Sequence, residues 1–334
     1  MNKYLAAVRR VWSRCCSLRN VVGVGWGSKK KSLQRTDQPT AVVFVRKKVP
    51  QEDLTMQDLI PRQIDGLETD VVEIGDVRLL SRTSRLRPAP PGVSIGHPKI
   101  TAGTFGALVK DNDTGELLIL SNNHVLANLT NGRDGRSQIG DPIYQPGVYD
   151  GGSSDDTIAH LERFVPVTTE FFISDCPISK QVSHIGNFVL TAVKPGYQLQ
   201  FLKQSATFNL VDCAVAKPIS AAVVTSEILG LGPVRGRSDV RLGQKVHKSG
   251  RTSELSSGSV IAIAATLRIG THGGTYAVFS DQIVATLPSQ GGDSGSLVLN
   301  DDNKAVGLLF AGSHLVTIAN RIQNVEEQLN ISVD

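Results

Sequence analysis

Apolar residues in this chain fall mainly in short runs separated by glycine, proline and Asn/Asp turns. Val21-Val22-Gly23-Val24-Gly25-Trp26-Gly27 and Ala41-Val42-Val43-Phe44-Val45 are β-branched or aromatic and read as two strands joined by a polar loop. Residues 1–18 before them read as a short basic helix. Residues 51–60 follow Pro50 and carry Glu52 and Asp53 in a first turn, which are helix-start signals, and 69–74 return to a strand. Residues 20–77 are thus expected to form a small β-β-α-β unit after a basic N-terminal helix over 1–19. Gly23, Gly25 and Gly27 are spaced GxGxG with no helix opening after them, so they do not read as a phosphate loop.

Arg85-Leu86-Arg87-Pro88-Ala89-Pro90-Pro91-Gly92 has no periodicity, and residues 78–92 read as a stiff basic linker to a second domain over 93–334. There the pattern becomes many short strands: 103–110, 117–121, 211–216, 258–264, 276–285, 295–299 and 305–310. A turn, Asn112-Asp113-Thr114-Gly115, separates the first two. This spacing predicts an antiparallel barrel or sandwich. Two helices interrupt it. Ile178, Val182, Ile185, Phe188, Val189 and Ala192 recur at helical spacing, which predicts an inserted amphipathic helix over 177–193. Near the C-terminus Asn320 is placed to cap a helix whose core face carries Ile322, Val325 and Leu329, with Gln323 reaching back to the cap.

The chain has 334 residues, 40% of them hydrophobic and 20% charged, as in an ordinary globular protein, which excludes disordered and collagenous chains. Its net charge of +4 hides an asymmetry. Residues 3–48 hold 12 basic side chains against Asp37 alone, leaving 23 basic and 30 acidic residues for the rest. A basic block of this kind is compatible with a nucleic-acid or anionic-membrane contact, but a solvated face is the simpler reading. The apolar stretch Leu5-Ala6-Ala7-Val8 is too short for a secretory signal, which predicts a cytoplasmic location, with organellar import the alternative. Cys15 and Cys16 are adjacent, and Cys176 and Cys213 stand apart without metal-ligand spacing, so neither a disulfide framework nor a metal site is expected.

The strongest chemical signal is Gly291-Gly292-Asp293-Ser294-Gly295-Ser296. Flanking glycines expose a serine hydroxyl and its neighbouring N–H groups, an arrangement suited to a nucleophile beside an oxyanion hole. Such a serine needs a base. His124, in Ser121-Asn122-Asn123-His124-Val125-Leu126, follows a predicted strand directly. His97, His160, His184, His247, His272 and His314 lack that setting. An orienting carboxylate is offered by Asp212 in Leu210-Val211-Asp212-Cys213-Ala214, where an acid among apolar residues is costly unless hydrogen-bonded. Asp156, in Ser154-Asp155-Asp156-Thr157, is the competing acid.

The order His124, Asp212, Ser294 and the Gly-Asp-Ser-Gly sequence resemble the trypsin-like serine peptidases of the chymotrypsin fold, over about residues 93–330. Ile139-Gly140-Asp141-Pro142, Gln145-Pro146-Gly147, Asp156-Thr157-Ile158-Ala159 and Phe44-Val45-Arg46-Lys47-Lys48 resemble the narrow-leaf-type bacterial and plant relatives, in which a domain precedes the peptidase. Val246-His247-Lys248-Ser249-Gly250-Arg251-Thr252-Ser253 resembles the streptogrisin-type enzymes, with Glu254 standing where those carry a glycine.

The resemblance implies a mainly β, double antiparallel barrel behind a small α/β domain. It implies a serine endopeptidase in which His124 is base and acid, Asp212 fixes its tautomer, Ser294 forms an acyl-enzyme, and the N–H groups of Gly292 and Ser294 hold the oxyanion. No Ile-Val-Gly-Gly start is present, so Asp293 needs a cation from within the chain. Lys248 is the first choice and Arg251 the second. The pocket before the scissile bond is expected from Pro288, Ser289, Phe310, Ala311, Gly312 and Thr317. It lacks an acid, which favours an uncharged side chain, with Glu or Asp second through Ser289, Thr317 and His314. The implied partner is a protein or peptide substrate and no cofactor, and the N-terminal domain is a candidate surface for self-association. The rival reading is a decayed peptidase fold that binds protein or nucleic acid as a scaffold.

Overall fold

A computed structural model describes residues 3–18, 20–31, 34–55, 58–75, 81–205, 207–271 and 274–333. The chain divides into two compact units, Met1–Leu80 and Ser81–Asp334.

In the first unit, α1 (Lys3–Cys15) buries Ala7, Val11 and Cys15, spaced by four so that they share one helix face. They join Ala41, Val43 and Ile64 of a sheet built from β1 (Val21–Lys31), β2 (Gln34–Val45), β3 (Gln63–Ile64) and β4 (Leu67–Glu73), ordered β1-β2-β4-β3. Of the expected polar loop between the first two strands, residues 28–31 and 34–40 are themselves strand. The ladder runs on through Gly27↔Thr40 and Ser28↔Pro39 to Lys30↔Arg35, because backbone pairing does not depend on side-chain polarity. Gly25 and Gly27 admit β2: a Cβ at Gly27 would lie 2.7 Å from Val42 and one at Gly25 3.1 Å from Phe44. Of the helix expected over 51–60, the described residues form one 3₁₀ turn, Gln51–Asp53, in a stretch bracketed by Pro50 and Pro61, and residues 56 and 57 lie outside the described residues. β2 pairs with β4 in parallel, from Ala41↔Thr69 to Val45↔Glu73.

In the second unit the expected linker is a correction. Residues 81–92 belong to the folded body: Arg82 Nη1 donates to Gly92 O (3.1 Å) and Ser249 Oγ (2.6 Å), Arg87 Nη2 donates to Asp156 O (3.0 Å), and Ala89 is fully buried. Lack of periodicity signalled irregular backbone, and the arginines anchor it. Residues 78–80 of that expectation lie outside the described residues.

The strands that follow are β5 (Ser94–Ile95), β6 (Gly103–Thr104), β7 (Ala107–Asp111), β8 (Leu117–Ser121), β9 (Pro142–Tyr144), β10 (Thr157–Phe164), β11 (Phe171–Ile173), β12 (Leu202–Gln204) and β13 (Ala214–Pro218). The rest are β14 (Lys245–Gly250), β15 (Glu254–Gly270), β16 (Tyr276–Ala285), β17 (Leu297–Asn300), β18 (Ala305–Gly312), β19 (Thr317–Arg321) and β20 (Ile331–Ser332). Two six-stranded antiparallel units result. One is the sheet β20-β7-β8-β13-β10-β9, the other the closed barrel β14-β15-β16-β19-β18-β17. The mainly β architecture with two six-stranded antiparallel units agrees with the double barrel that the resemblance implied, the second unit being the closed one. β15 runs 17 residues, past the expected 258–264, and its outer half pairs with β16 through register shifts. Residues 211–213, expected in a strand, precede β13.

Among the described residues three α-helices complete the unit: α2 (Asn123–Leu126), α3 (Pro177–Val193) and α4 (Ile322–Leu329). α3 has the expected bounds, yet no residue of it is buried and Phe188 is 80% exposed. α4 buries Ile322, Val325 and Leu329 as expected, but Asn320 does not cap it. Asn320 lies buried in β19, Arg321 occupies the cap position, and Gln323 donates to Ser238 O and Asp239. After α4, β20 returns to pair with β7, so the C-terminus ties the barrel to the first sheet. Among the described residues no helix is long and apolar enough to cross a membrane.

Candidate active site

His124 stands one residue into α2, a single helical turn that opens directly at the end of β8. Asp212 precedes β13, which pairs with β8 through Ala214↔Ser121. The two residues therefore come together by sheet register, although 88 positions separate them. Asp212 Oδ2 lies 2.6 Å from His124 Nδ1, and Oδ1 accepts the His124 backbone N–H at 3.2 Å. Asp212 is 2% exposed, and a carboxylate only accepts, so the Nδ1 proton is fixed on the imidazole. Nε2 is left as the basic nitrogen and has no partner among the described residues.

Ser294 lies between β16 and β17. Its loop is pressed against the first sheet: Thr104 N–H donates to Ser294 O at 2.7 Å, and Gly295, at φ +95°, leaves no room for a Cβ, which would sit 2.1 Å from Ser121 Oγ. His124, Asp212 and Ser294 line one cleft of about 1020 Å³ between the two β units. Ser294 Oγ donates to Phe310 O at 3.3 Å, near the limit of a useful hydrogen bond, and makes none to His124. Gly292, at φ +96°, and Ser294 have backbone N–H groups that donate to no acceptor among the described residues. The competing acid Asp156 is engaged elsewhere, accepting from Ser153 N–H (3.0 Å) and pairing with Arg85 (2.9 Å).

Asp293 and Lys248, both fully buried, are 3.1 Å apart. Lys248 also reaches Ser253 Oγ at 2.5 Å. Arg251, the second candidate, pairs with Asp150 instead. Burial opposes the charge on Asp293, but hydrogen bonds from Ser253 and the Lys248 ammonium outweigh it and hold the carboxyl below its usual range. Burial, only partly offset by Asp293, lowers the Lys248 ammonium. Lys248→Met is expected to cost about 3–5 kcal/mol at pH 7, since it leaves a buried carboxylate unpaired. A carboxyl with a depressed pKa contributes stability that is lost as pH falls through that pKa. The deficit of Lys248→Met should therefore shrink between pH 7 and pH 4, as the mutant's Asp293 protonates and no longer needs a cation. Urea unfolding of both proteins at the two pH values measures this, and a deficit that grows on acidification would contradict it.

Pro288, Ser289, Phe310, Ala311 and Gly312 all line the cleft, as does His314. Thr317 does not. It is buried behind Ser289, with the two hydroxyls 2.6 Å apart. Thr317 Oγ1 donates to Leu287 O, so its partner Ser289 must donate to it, and the Ser289 oxygen faces the cleft as an acceptor. Glu254 takes φ +51°, the left-handed conformation a glycine adopts freely, at a cost of about 1 kcal/mol. His272 lies outside the described residues. Cys15, Cys16, Cys176 and Cys213 are all free, and among the described residues no three His, Cys, Asp or Glu side chains converge as a metal site would need.

The sequence reading missed the shell behind Asp212. Asn122 Nδ2 donates to Asp212 O (2.7 Å), and Asn320 Oδ1 accepts Asp212 N–H (3.0 Å) while its Nδ2 donates to Gln282 (2.7 Å). An asparagine inside a strand of small apolar residues, Thr317-Ile318-Ala319-Asn320, was the available signal.

No protein-family model and no curated protein sequence matches this chain. Among solved structures the chain is similar to a Cellulomonas bogoriensis chymotrypsin, at 13% identity and a TM-score of 0.44, over 74% of this chain and 98% of that one. It is similar to Thermobifida fusca protease A at 15% identity and 0.45, over 73% and 98%. It is also similar to a Nocardiopsis protease at 15% identity and 0.45, over 73% and 99%.

Proposed function

We propose that the Ser81–Asp334 unit is a serine endopeptidase. The observation that carries this reading is the 2.6 Å contact of His124 with a buried Asp212 in the same cleft as a glycine-flanked Ser294. A serine hydroxyl turning from Phe310 O toward Nε2 gives up only a 3.3 Å hydrogen bond. His124 then takes the Ser294 proton as the oxygen attacks a substrate carbonyl, and the N–H groups of Gly292 and Ser294 receive the oxyanion. The imidazolium, paired with Asp212, protonates the leaving amine, and water attacks the acyl-enzyme in a second round with the same base. The scaffold reading has one observation in its favour, the engagement of Ser294 Oγ by Phe310 O, and a weak bond of that kind is readily exchanged.

The pocket favours an uncharged side chain before the scissile bond. Among the described residues that line the cleft the one carboxylate is Asp212, engaged by His124, so none is free to pair a lysine or arginine. Arg268 is held by Glu170 and the Ser289–Thr317 hydroxyl pair spends its protons inward, which leaves His314 as the donor for a substrate carboxylate and keeps Glu or Asp second. A fluorophosphonate probe should label the protein once, on Ser294, and Ser294→Ala should take up none. A positional-scanning peptide library should be cut after Leu, Met, Phe or smaller residues. Labelling of the alanine variant at another residue would remove the assignment, and dominant cleavage after Arg or Lys would overturn the pocket.

A further inference from the structure

Two threonines and one arginine surround the peptide groups that flank Gly292. Thr252 Oγ1 donates to Gly291 O at 2.7 Å, and Thr104 Oγ1 donates to Gly292 O at 2.8 Å. Each hydroxyl has one proton to give, so its direction is set by what it accepts. Both accept from Arg251: Nη1 donates to Thr252 Oγ1 at 2.9 Å, and the backbone N–H donates to Thr104 Oγ1 at 3.0 Å. The guanidinium is fixed in turn by Asp150, which accepts Nε at 2.9 Å and also bonds Nη2, while the ring of Tyr149 lies 5.1 Å away. In a trans peptide the C=O and the following N–H point in opposite directions. A Gly291 carbonyl held by Thr252 therefore turns the Gly292 N–H away from Thr252. This contact also requires glycine, since a Cβ at Gly292 would lie 2.6 Å from Thr252 Oγ1.

We infer that Thr252, with its hydroxyl aimed by Arg251, is a positioning residue that locks the Gly291–Gly292 peptide with the Gly292 N–H available to an oxyanion. The glycine pair by itself allows the peptide to rotate, because neither residue has a side chain to resist it. Asp150, Arg251 and Thr252 then supply from outside the loop the rigidity that the glycines lack. This inference rests on the serine peptidase reading.

The test measures fluorophosphonate labelling rates over a range of probe concentrations for the full chain, Thr252→Val, Thr252→Ser and Thr252→Ala, with a thermal midpoint for each. Thr252→Val keeps shape and the backbone N–H bond to Asp293 but has no hydroxyl to donate. Its limiting labelling rate is expected to fall on the order of 10²-fold, the scale of a lost oxyanion donor, with half-saturation by the probe unchanged. Thr252→Ser should return to within about threefold of the parent protein, because it restores the donor. Thr252→Ala should match valine and serves if valine does not fold. Equal rates in parent and valine variants, or a serine variant as slow as valine, would overturn the role of the hydroxyl. Failure of the parent chain to label at all would overturn the peptidase reading instead.

Discussion

Ser294→Ala is expected to lower kcat for a peptide substrate by about 10⁶-fold, and His124→Ala by a similar factor, with the double variant no worse than either. The non-additivity is the informative part. Among the described residues His124 Nε2 has no partner of its own, and Ser294 Oγ bonds only Phe310 O. Neither group accelerates acyl transfer without the other: the hydroxyl is a poor nucleophile until its proton is taken, and the base has nothing to activate once the hydroxyl is gone. Residual turnover of about 10³ over the uncatalysed reaction should persist through the free N–H groups of Gly292 and Ser294. Single-turnover kinetics on the three variants, with the peptide selected from the library, measures this. A double variant slower than the single variants by the product of their effects would mean that the two side chains act independently, and the base-nucleophile relation would be lost.

How far the sequence disclosed this site depended on whether local pattern or long-range packing decided the answer. β8 and β16 coincide with the expected 117–121 and 276–285, because apolar runs bounded by turns carry their own boundaries. α3 also has the expected bounds, since a 3.6-residue period defines a helix, but the period does not say what covers the apolar face, and Ile185 and Phe188 lie exposed. Residues 51–60 went the other way. Helix-start signals were present, yet a stretch that short between two prolines cannot gain enough from propagation to hold a helix. Gly291 to Ser296 was legible because glycine has few other reasons to be so placed. The partners of that loop were harder to see. Asn320 presented itself as a helix cap, since a capping residue and a buried hydrogen-bonding residue look alike in sequence. Arg82 and Arg87, read as linker charges, donate to Ser249 and to the Asp156 carbonyl across separations of 167 and 69 residues, contacts no local pattern encodes.

Asp212→Asn is expected to lower kcat by about 10⁴-fold at neutral pH while Asp156→Asn leaves it within about threefold. Volume barely changes at residue 212, so the effect must come through protons. The carboxylate now accepts from both His124 Nδ1–H at 2.6 Å and the His124 backbone N–H at 3.2 Å. An asparagine has one acceptor and one donor end. The backbone N–H can only donate, so it claims the Oδ1 end and turns the amide nitrogen toward Nδ1. The imidazole then accepts at Nδ1, its proton moves to Nε2, and Nε2 ceases to be a base. Anchoring by Asn122 and Asn320 acts on the backbone of residue 212 and survives the change, so position is kept while the tautomer is inverted. Asp156, by contrast, accepts from Ser153 and pairs with Arg85, which is 56% exposed, so its loss is confined to a surface turn. The tautomer itself can be read from imidazole ¹⁵N shifts, which should move the neutral-form proton from Nδ1 in the parent protein to Nε2 in Asp212→Asn. Unchanged ¹⁵N shifts, or a larger loss of kcat in Asp156→Asn than in Asp212→Asn, would show that Asp212 does not orient this histidine.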